Sequence, residues 1–213
     1  MSVAALLDQV TEELYALHTA NAEAAAVARA EYEERRGRVH QDDALWEAWS
    51  AAFVEWYVIE RVAPGQAVPL AALTYRELAA THPHADVMKA LVTSQRSLFE
   101  VRAIGRGRVE VLDLLGGADF EVAEQRVLHG VEVGDVAELR LIGVGGEVRF
   151  GRTFIYHPKV VRAAIVERAR AMLGSGGTRR DVIDQVAQLR IQLTRYRHMS
   201  PARVYELGSR IVG

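Results

Sequence analysis

No cysteine occurs in the 213 residues. Its absence excludes a disulfide framework and a thiolate zinc site, and leaves serine or threonine as the hydroxyl nucleophiles to search for. Lysine is nearly missing too: Lys89 and Lys159 stand beside 24 arginines, a skew that fits a GC-rich genome. No apolar run approaches the ~18 to 20 residues of a membrane span. The opening stretch MSVAALLDQVTEELY has no basic start, and acids interrupt it too early for a signal peptide, so the expected setting is the cytoplasm. There is no GxSxG elbow, and neither Gly105-Arg106-Gly107 nor Gly143-Val144-Gly145-Gly146 leads into a Walker lysine. No acid, base and nucleophile converge, so the expectation is a protein that is not an enzyme, with no cofactor and no metal.

What is present is a run of five strands. Between Ser97 and His157, apolar and polar residues alternate in SLFEVRAI, RVEVLDLL, DFEVAEQRV, VAELRLIGV and EVRFGRTFIYH, with glycines between them. The alternation sends Phe99, Val101 and Ala103 to a core and Glu100 and Arg102 to water. Gly145-Gly146 is a two-residue hairpin signal, because glycine takes positive φ without steric cost. An open antiparallel sheet leaves two edges, and closure removes them. The expected fold class is therefore α+β: a small five-stranded antiparallel β-barrel of the OB or SH3 kind, flanked by N-terminal and C-terminal helices. The segments are a long helix over 1–38, a Trp-rich helical part over 43–95, the barrel over 97–157 and basic helices over 158–213.

From Val3 to Arg36 there is no proline or glycine, which predicts one long helix. Val3, Leu7, Val10, Leu14, Leu17, Asn21, Ala24 and Ala28 form a heptad seam along it. Two readings are open: a coiled-coil arm whose register Asn21 fixes, or an amphipathic helix folded back on its own domain. In the following helix Trp49, Ala52, Phe53 and Trp56 share a face, an aromatic stripe expected to be core and to seal one side of the barrel. Further on, Thr178 with Asp181 resembles a capping box ahead of a second seam, Val182, Val186, Leu189, Leu193 and Tyr196.

Charge is distributed unevenly around a net of −2. Residues 1–90 carry 7 basic and 14 acidic side chains, whereas 158–213 carry 11 and 4. From residue 179 onward, Arg179, Arg180, Arg190, Arg195, Arg197, Arg203 and Arg210 meet only Asp181, Asp184 and Glu206. They either compensate the acidic N-terminal helices or bind nucleic acid, in which case affinity falls with salt. On the barrel, Arg102, Arg108, Arg140 and Arg149 are expected to share the outward face with Glu100, Glu110, Glu121 and Glu138. Such a mixed face suits phosphate poorly. His82-Pro83-His84-Ala85-Asp86 has the HxHxD spacing of metallo-β-lactamase-fold hydrolases, yet Val87 replaces the further histidine, and a helix start explains the residues better. Arg152 to His157 has the RxxxxH spacing of HEPN-type ribonucleases but reads as strand.

Trp49 to Glu60, the helices ending at Ser94, and then SLFEV, VEVLDLLGG, FEVAE, VEVGDVAELRLI and FGR resemble a domain of uncharacterised bacterial proteins, some of which end in a SEC-C zinc motif. The resemblance covers residues 43 to 157 and implies a fold without an activity; with no cysteine here, no zinc role carries over. The expected role is a non-catalytic interaction or scaffolding subunit in a bacterial cytoplasm. Its contact to a protein partner or to itself would run through Leu7, Leu14, Leu17 and Asn21. The alternative is nucleic-acid binding through the C-terminal arginines. No membrane partner is expected, and the sequence identifies no small-molecule substrate.

Overall fold

The computed structural model describes residues 2–19, 22–125 and 130–207. Helix α1 (Val3–His18) begins where the Ser2 hydroxyl accepts the Ala5 N–H at 3.2 Å. It ends at Thr19, whose backbone N–H and hydroxyl both donate back to the Tyr15 carbonyl. Helix α2 (Ala22–Arg36) follows as a separate element and stops at Gly37, held at φ 90°. The continuous helix expected over 1–38 is thus two helices. The leucine-rich half packs on the helices over 46–55, 70–78 and 85–92 and on the strand over 147–157, whereas the second half sets Tyr32 against Trp49, Phe53 and Trp56 and also meets the helix over 179–195. Burial in the chain's own core takes the place of a two-stranded coil.

Helix α3 (Trp46–Glu55) continues into a π turn, Trp56–Glu60, closed by the Arg61 N–H to the Trp56 carbonyl at 2.8 Å. Short helices α4 (Leu70–Leu78) and α5 (Ala85–Val92) lead to β1 (Gln95–Gly105). The sheet continues with β2 (Arg108–Asp113), β3 (Asp119–Ala123), β4 (Val136–Val144) and β5 (Glu147–His157). Gly145 and Gly146 turn between β4 and β5 at φ 61° and 80°, both positive as a tight hairpin turn requires. A single 3₁₀ turn, Lys159–Val161, precedes α6 (Arg162–Gly174), α7 (Arg179–Arg195) and α8 (Pro201–Leu207). At the start of α7 the capping box of Thr178 and Asp181 forms as the sequence suggests.

The five strands pair in the order β1-β2-β3-β5-β4 and close through β4 on β1. All pairs are antiparallel except β3 with β5, which meet in parallel at Val122 and Val148. The sheet is therefore mixed, which corrects the expected all-antiparallel arrangement. The reason is parity. Strands in a ring alternate direction all the way round only if their number is even, so five strands leave one neighbouring pair parallel.

Phe99, Val101, Val111, Val122, Leu139 and Phe150 fill the interior of this ring. Its outer side is covered twice. Trp49, Phe53, Trp56 and Tyr32 form an aromatic core that meets Ile142 and Ile155 of β4 and β5. Helices α6 to α8 pack Ile165, Val182 and Val186 on Leu98 and Val136. Ser97–Val101 and Val136–Ile142 are consequently buried on both faces, and the expectation that one side of β1 meets water fails there. Trp49 is 1 % exposed, and truncating it would cost about 3 to 5 kcal/mol. Among the described residues no helix is long and apolar enough to cross a membrane.

Candidate functional site

The polar side chains of β1 and β4 turn outward, as their alternation requires, but they meet helices that carry opposite charges. Arg36 at the end of α2 donates to both oxygens of Glu138 at 2.8 and 2.7 Å and to Asp184 of α7 at 2.8 Å. Arg96 donates to Glu138 at 2.8 Å and through Nε and a terminal nitrogen to Glu60, also at 2.8 Å. Arg140 reaches Glu60, Glu55 at 3.2 Å and the Ser94 hydroxyl at 3.1 Å. The π turn accounts for this convergence: its i to i+5 bonding brings Glu55 and Glu60, five residues apart, to one guanidinium. Arg140 and Glu138, expected on a solvated face, are 2 % and 1 % exposed.

Burial alone would raise the Glu138 carboxyl, but Arg36 and Arg96 more than reverse that and hold it below the usual carboxylate range. For Glu60, Arg96 and Arg140 likewise overcome the burial penalty. Glu55 goes the other way, because burial raises it more than Arg140 and the Arg152 N–H lower it. A neighbouring set links Ser97, which donates to Asp113 at 2.6 Å, with Arg179, which donates to Asp113 at 2.5 Å.

The C-terminal arginines divide accordingly. Arg179 pairs with Asp113, and Arg180 approaches Glu60 at 3.6 Å. Arg190 is half-buried and donates to the Tyr156 carbonyl at 2.6 Å, while Arg195 donates to the Arg38 carbonyl at 2.7 Å. Arg197 donates to the Thr194 carbonyl at 3.4 Å, and Arg197 and Arg203 are both exposed. Arg210 lies outside the described residues. On the barrel's solvated side Arg108 pairs with Glu121 and Arg149 with Glu147. The large exposed apolar residues there, Ile104 and Val133, are aliphatic and offer no ring for base stacking.

The expected α1 contacts also separate. Leu7 and Leu14 are 3 % and 2 % exposed and belong to the chain's own core. Asn21 lies outside the described residues. Leu17 is 61 % exposed. It borders a groove of about 450 Å³ between α1, α4 and α5, with Val10, Leu14, Leu78 and Met88 as its apolar wall. Glu13, Thr74 and His82 supply the polar edge. The Thr74 hydroxyl is occupied by the His18 ring at 2.9 Å, and Glu77 raises the His18 pKa against the larger lowering effect of burial. The groove was not legible from the heptad seam, because Leu78 and Met88 come from helices assigned no contact role.

Neither short motif assembles a reactive site. His82 Nδ1 accepts the His84 N–H at 3.1 Å, as at a helix start, and among the described residues no three metal-ligating side chains cluster. Arg152 and His157 lie on β5 five residues apart, so they point to opposite faces: Arg152 pairs with Glu12, and His157 with Tyr205. Compared with protein-family models, curated proteins and solved structures, the chain matches none. The resemblance of residues 43–157 to the SEC-C-associated domain therefore rests on its sequence pattern.

Proposed function

We propose that the protein is a non-catalytic interaction subunit of a cytoplasmic bacterial assembly, and that its contact is the groove bordered by Leu17. The observation that carries this reading is a large apolar cavity open between three helices, with Leu17 and Leu78 exposed on its rim. An unpaired apolar groove of this kind accepts the apolar face of an amphipathic helix. Glu13 on the wall and exposed Glu77 nearby favour a helix with basic flanks, in keeping with the acidic excess of residues 1–90. The ring order with β3 parallel to β5 supports an OB-like barrel, with the helices of 43–95 and 158–207 bound to its outside.

Fluorescence anisotropy tests this with a labelled leucine- and lysine-patterned helical peptide and the full chain. The expected result is saturable binding that weakens at least tenfold in Leu17→Asp, with little binding of the glutamate-patterned analogue. Equal binding by wild type and Leu17→Asp would remove the groove from the function. A duplex or single-stranded oligonucleotide titrated over a salt series tests the nucleic-acid reading. Binding lost on reversal of Arg195 and Arg203, and untouched by Leu17→Asp, would move the contact to the C-terminal helices.

A further inference from the structure

A second cavity, of about 300 Å³, opens where the end of the π turn, the start of β1 and the start of α7 meet. Arg96, Arg140, Arg179 and Arg180 line it, and Glu60 is the one carboxylate among its lining residues. Glu60 sits under three of these guanidiniums, hydrogen-bonded to Arg96 and Arg140 and 3.6 Å from Arg180 Nε. That last separation is too long for a hydrogen bond. Arg180 is the least committed of the four, 46 % exposed at the mouth and without a hydrogen-bond partner among the described residues. Arg179, 39 % exposed, turns its guanidinium to Asp113 and Ser97, outside the lining. Fixed guanidiniums suit tetrahedral oxyanions, because their planar donor forks bind two oxygens at once and stay charged at any working pH.

We propose that this cleft binds a phosphate group, free or carried as a monoester, with Arg180 closing on oxygens that enter above Arg96 and Arg140. The network is neutral in formal charge, with Glu55, Glu60, Asp113, Glu138 and Asp184 against Arg36, Arg96, Arg140, Arg179 and Arg180. The recognition is thus of shape and hydrogen bonding around one incompletely paired guanidinium, and the affinity expected is modest. This site is separate from the groove bordered by Leu17, and neither depends on the other.

Isothermal titration and thermal melting of the full chain test it, with sodium phosphate against sodium chloride at matched ionic strength. The expected result is saturable phosphate binding and a rise in Tm that chloride does not give. Arg180→Gln should weaken phosphate binding at least tenfold while keeping the wild-type melting temperature without phosphate. Arg203→Gln, an exposed arginine on α8, should bind as wild type does. Phosphate also stabilises proteins in general by exclusion from their surfaces. A Tm that climbs without saturating, equally in wild type and Arg180→Gln, would therefore overturn the site, as would the absence of any phosphate heat. Competition by a 5′-phosphorylated but not a 5′-hydroxyl dinucleotide would support the site with a nucleic-acid end as the source. Binding of inorganic phosphate alone would support it with a free phosphate.

Discussion

One terminal nitrogen of Arg36 donates to both oxygens of Glu138, at 2.7 and 2.8 Å, with both side chains essentially out of water at 0 % and 1 % exposure. The pair ties α2, through Asp184 also α7, to the outer side of β4. A buried pair of this kind contributes little over an apolar substitute, yet removing one partner leaves a charge that burial penalises. Arg36→Met is expected to cost about 3 kcal/mol, because Arg96 still compensates Glu138 in part. Urea unfolding of Arg36→Met and of the double variant with Glu138→Leu checks this. The double should be less destabilised than the two single losses together, whereas strict additivity would mean that the residues do not interact.

Gly151 in the middle of β5 lets the Glu55 carboxylate lie against the strand. A methyl group at this position would stand 3.0 Å from Glu55 Oε1 and 3.1 Å from Arg140 Cβ. Glu55 cannot move aside freely, since Arg140 Nε and the Arg152 N–H both hold it. Gly151→Ala is expected to destabilise by about 1 to 3 kcal/mol, as overpacking does. Denaturant midpoints decide the matter. A neutral result would mean that the carboxylate is not seated on the strand.

Leu14 and Leu17 lie one turn apart on α1 and differ in exposure, at 2 % and 61 %. Leu14→Ala is expected to cost about 2 to 5 kcal/mol through the cavity it leaves. Leu17→Ala should stay within about 0.5 kcal/mol, as surface changes do. Chemical unfolding of both variants measures the contrast. Equal costs would mean that the groove is closed in solution and would withdraw Leu17 as a contact.

The strands, the Gly145-Gly146 hairpin and the capping box of Thr178 and Asp181 were legible because each is written in adjacent residues with one dominant local cause. The surroundings of Glu138 and Arg140 were not. Alternation identifies which side chains leave the barrel interior, but water and a helix bearing countercharges produce the same pattern. Arg36, Glu55 and Glu60, which cover those residues, lie 80 to 102 positions before their partners in the chain, the two glutamates at the two ends of a π turn that no local signal announces. The break between α1 and α2 carries no proline or glycine; its local signal is the weak helix propensity of Thr19, whose N–H closes α1 on the Tyr15 carbonyl. The parallel β3–β5 contact, by contrast, follows from counting the strands of a closed ring.

His157 at the end of β5 is 3 % exposed, with Nδ1 2.7 Å from the Tyr205 hydroxyl and Nε2 without a hydrogen-bond partner among the described residues. Burial lowers its pKa to about 3, with Glu138 opposing that shift and Arg190 and Arg36 adding to it. In the unfolded chain the ring titrates near the ordinary value of 6.5. Below that pH the unfolded state binds the proton and the folded state does not. Stability from this group is therefore full above pH 6.5 and is lost as pH falls toward 3, at up to about 1.4 kcal/mol per pH unit. The carboxylates Glu60 and Glu138, held low by their arginines, act in the same direction but only as pH falls through the ordinary carboxylate range. His18, also lowered by burial, titrates in the same upper window, so a variant is needed to isolate His157. His157→Gln removes the titration and keeps a hydrogen-bonding group near Tyr205. Between pH 7.5 and 5.5 the wild type should lose about 1.4 kcal/mol more than this variant in urea unfolding. Identical pH slopes would mean that the ring is protonated inside the fold, and that the α8 side of the barrel admits water.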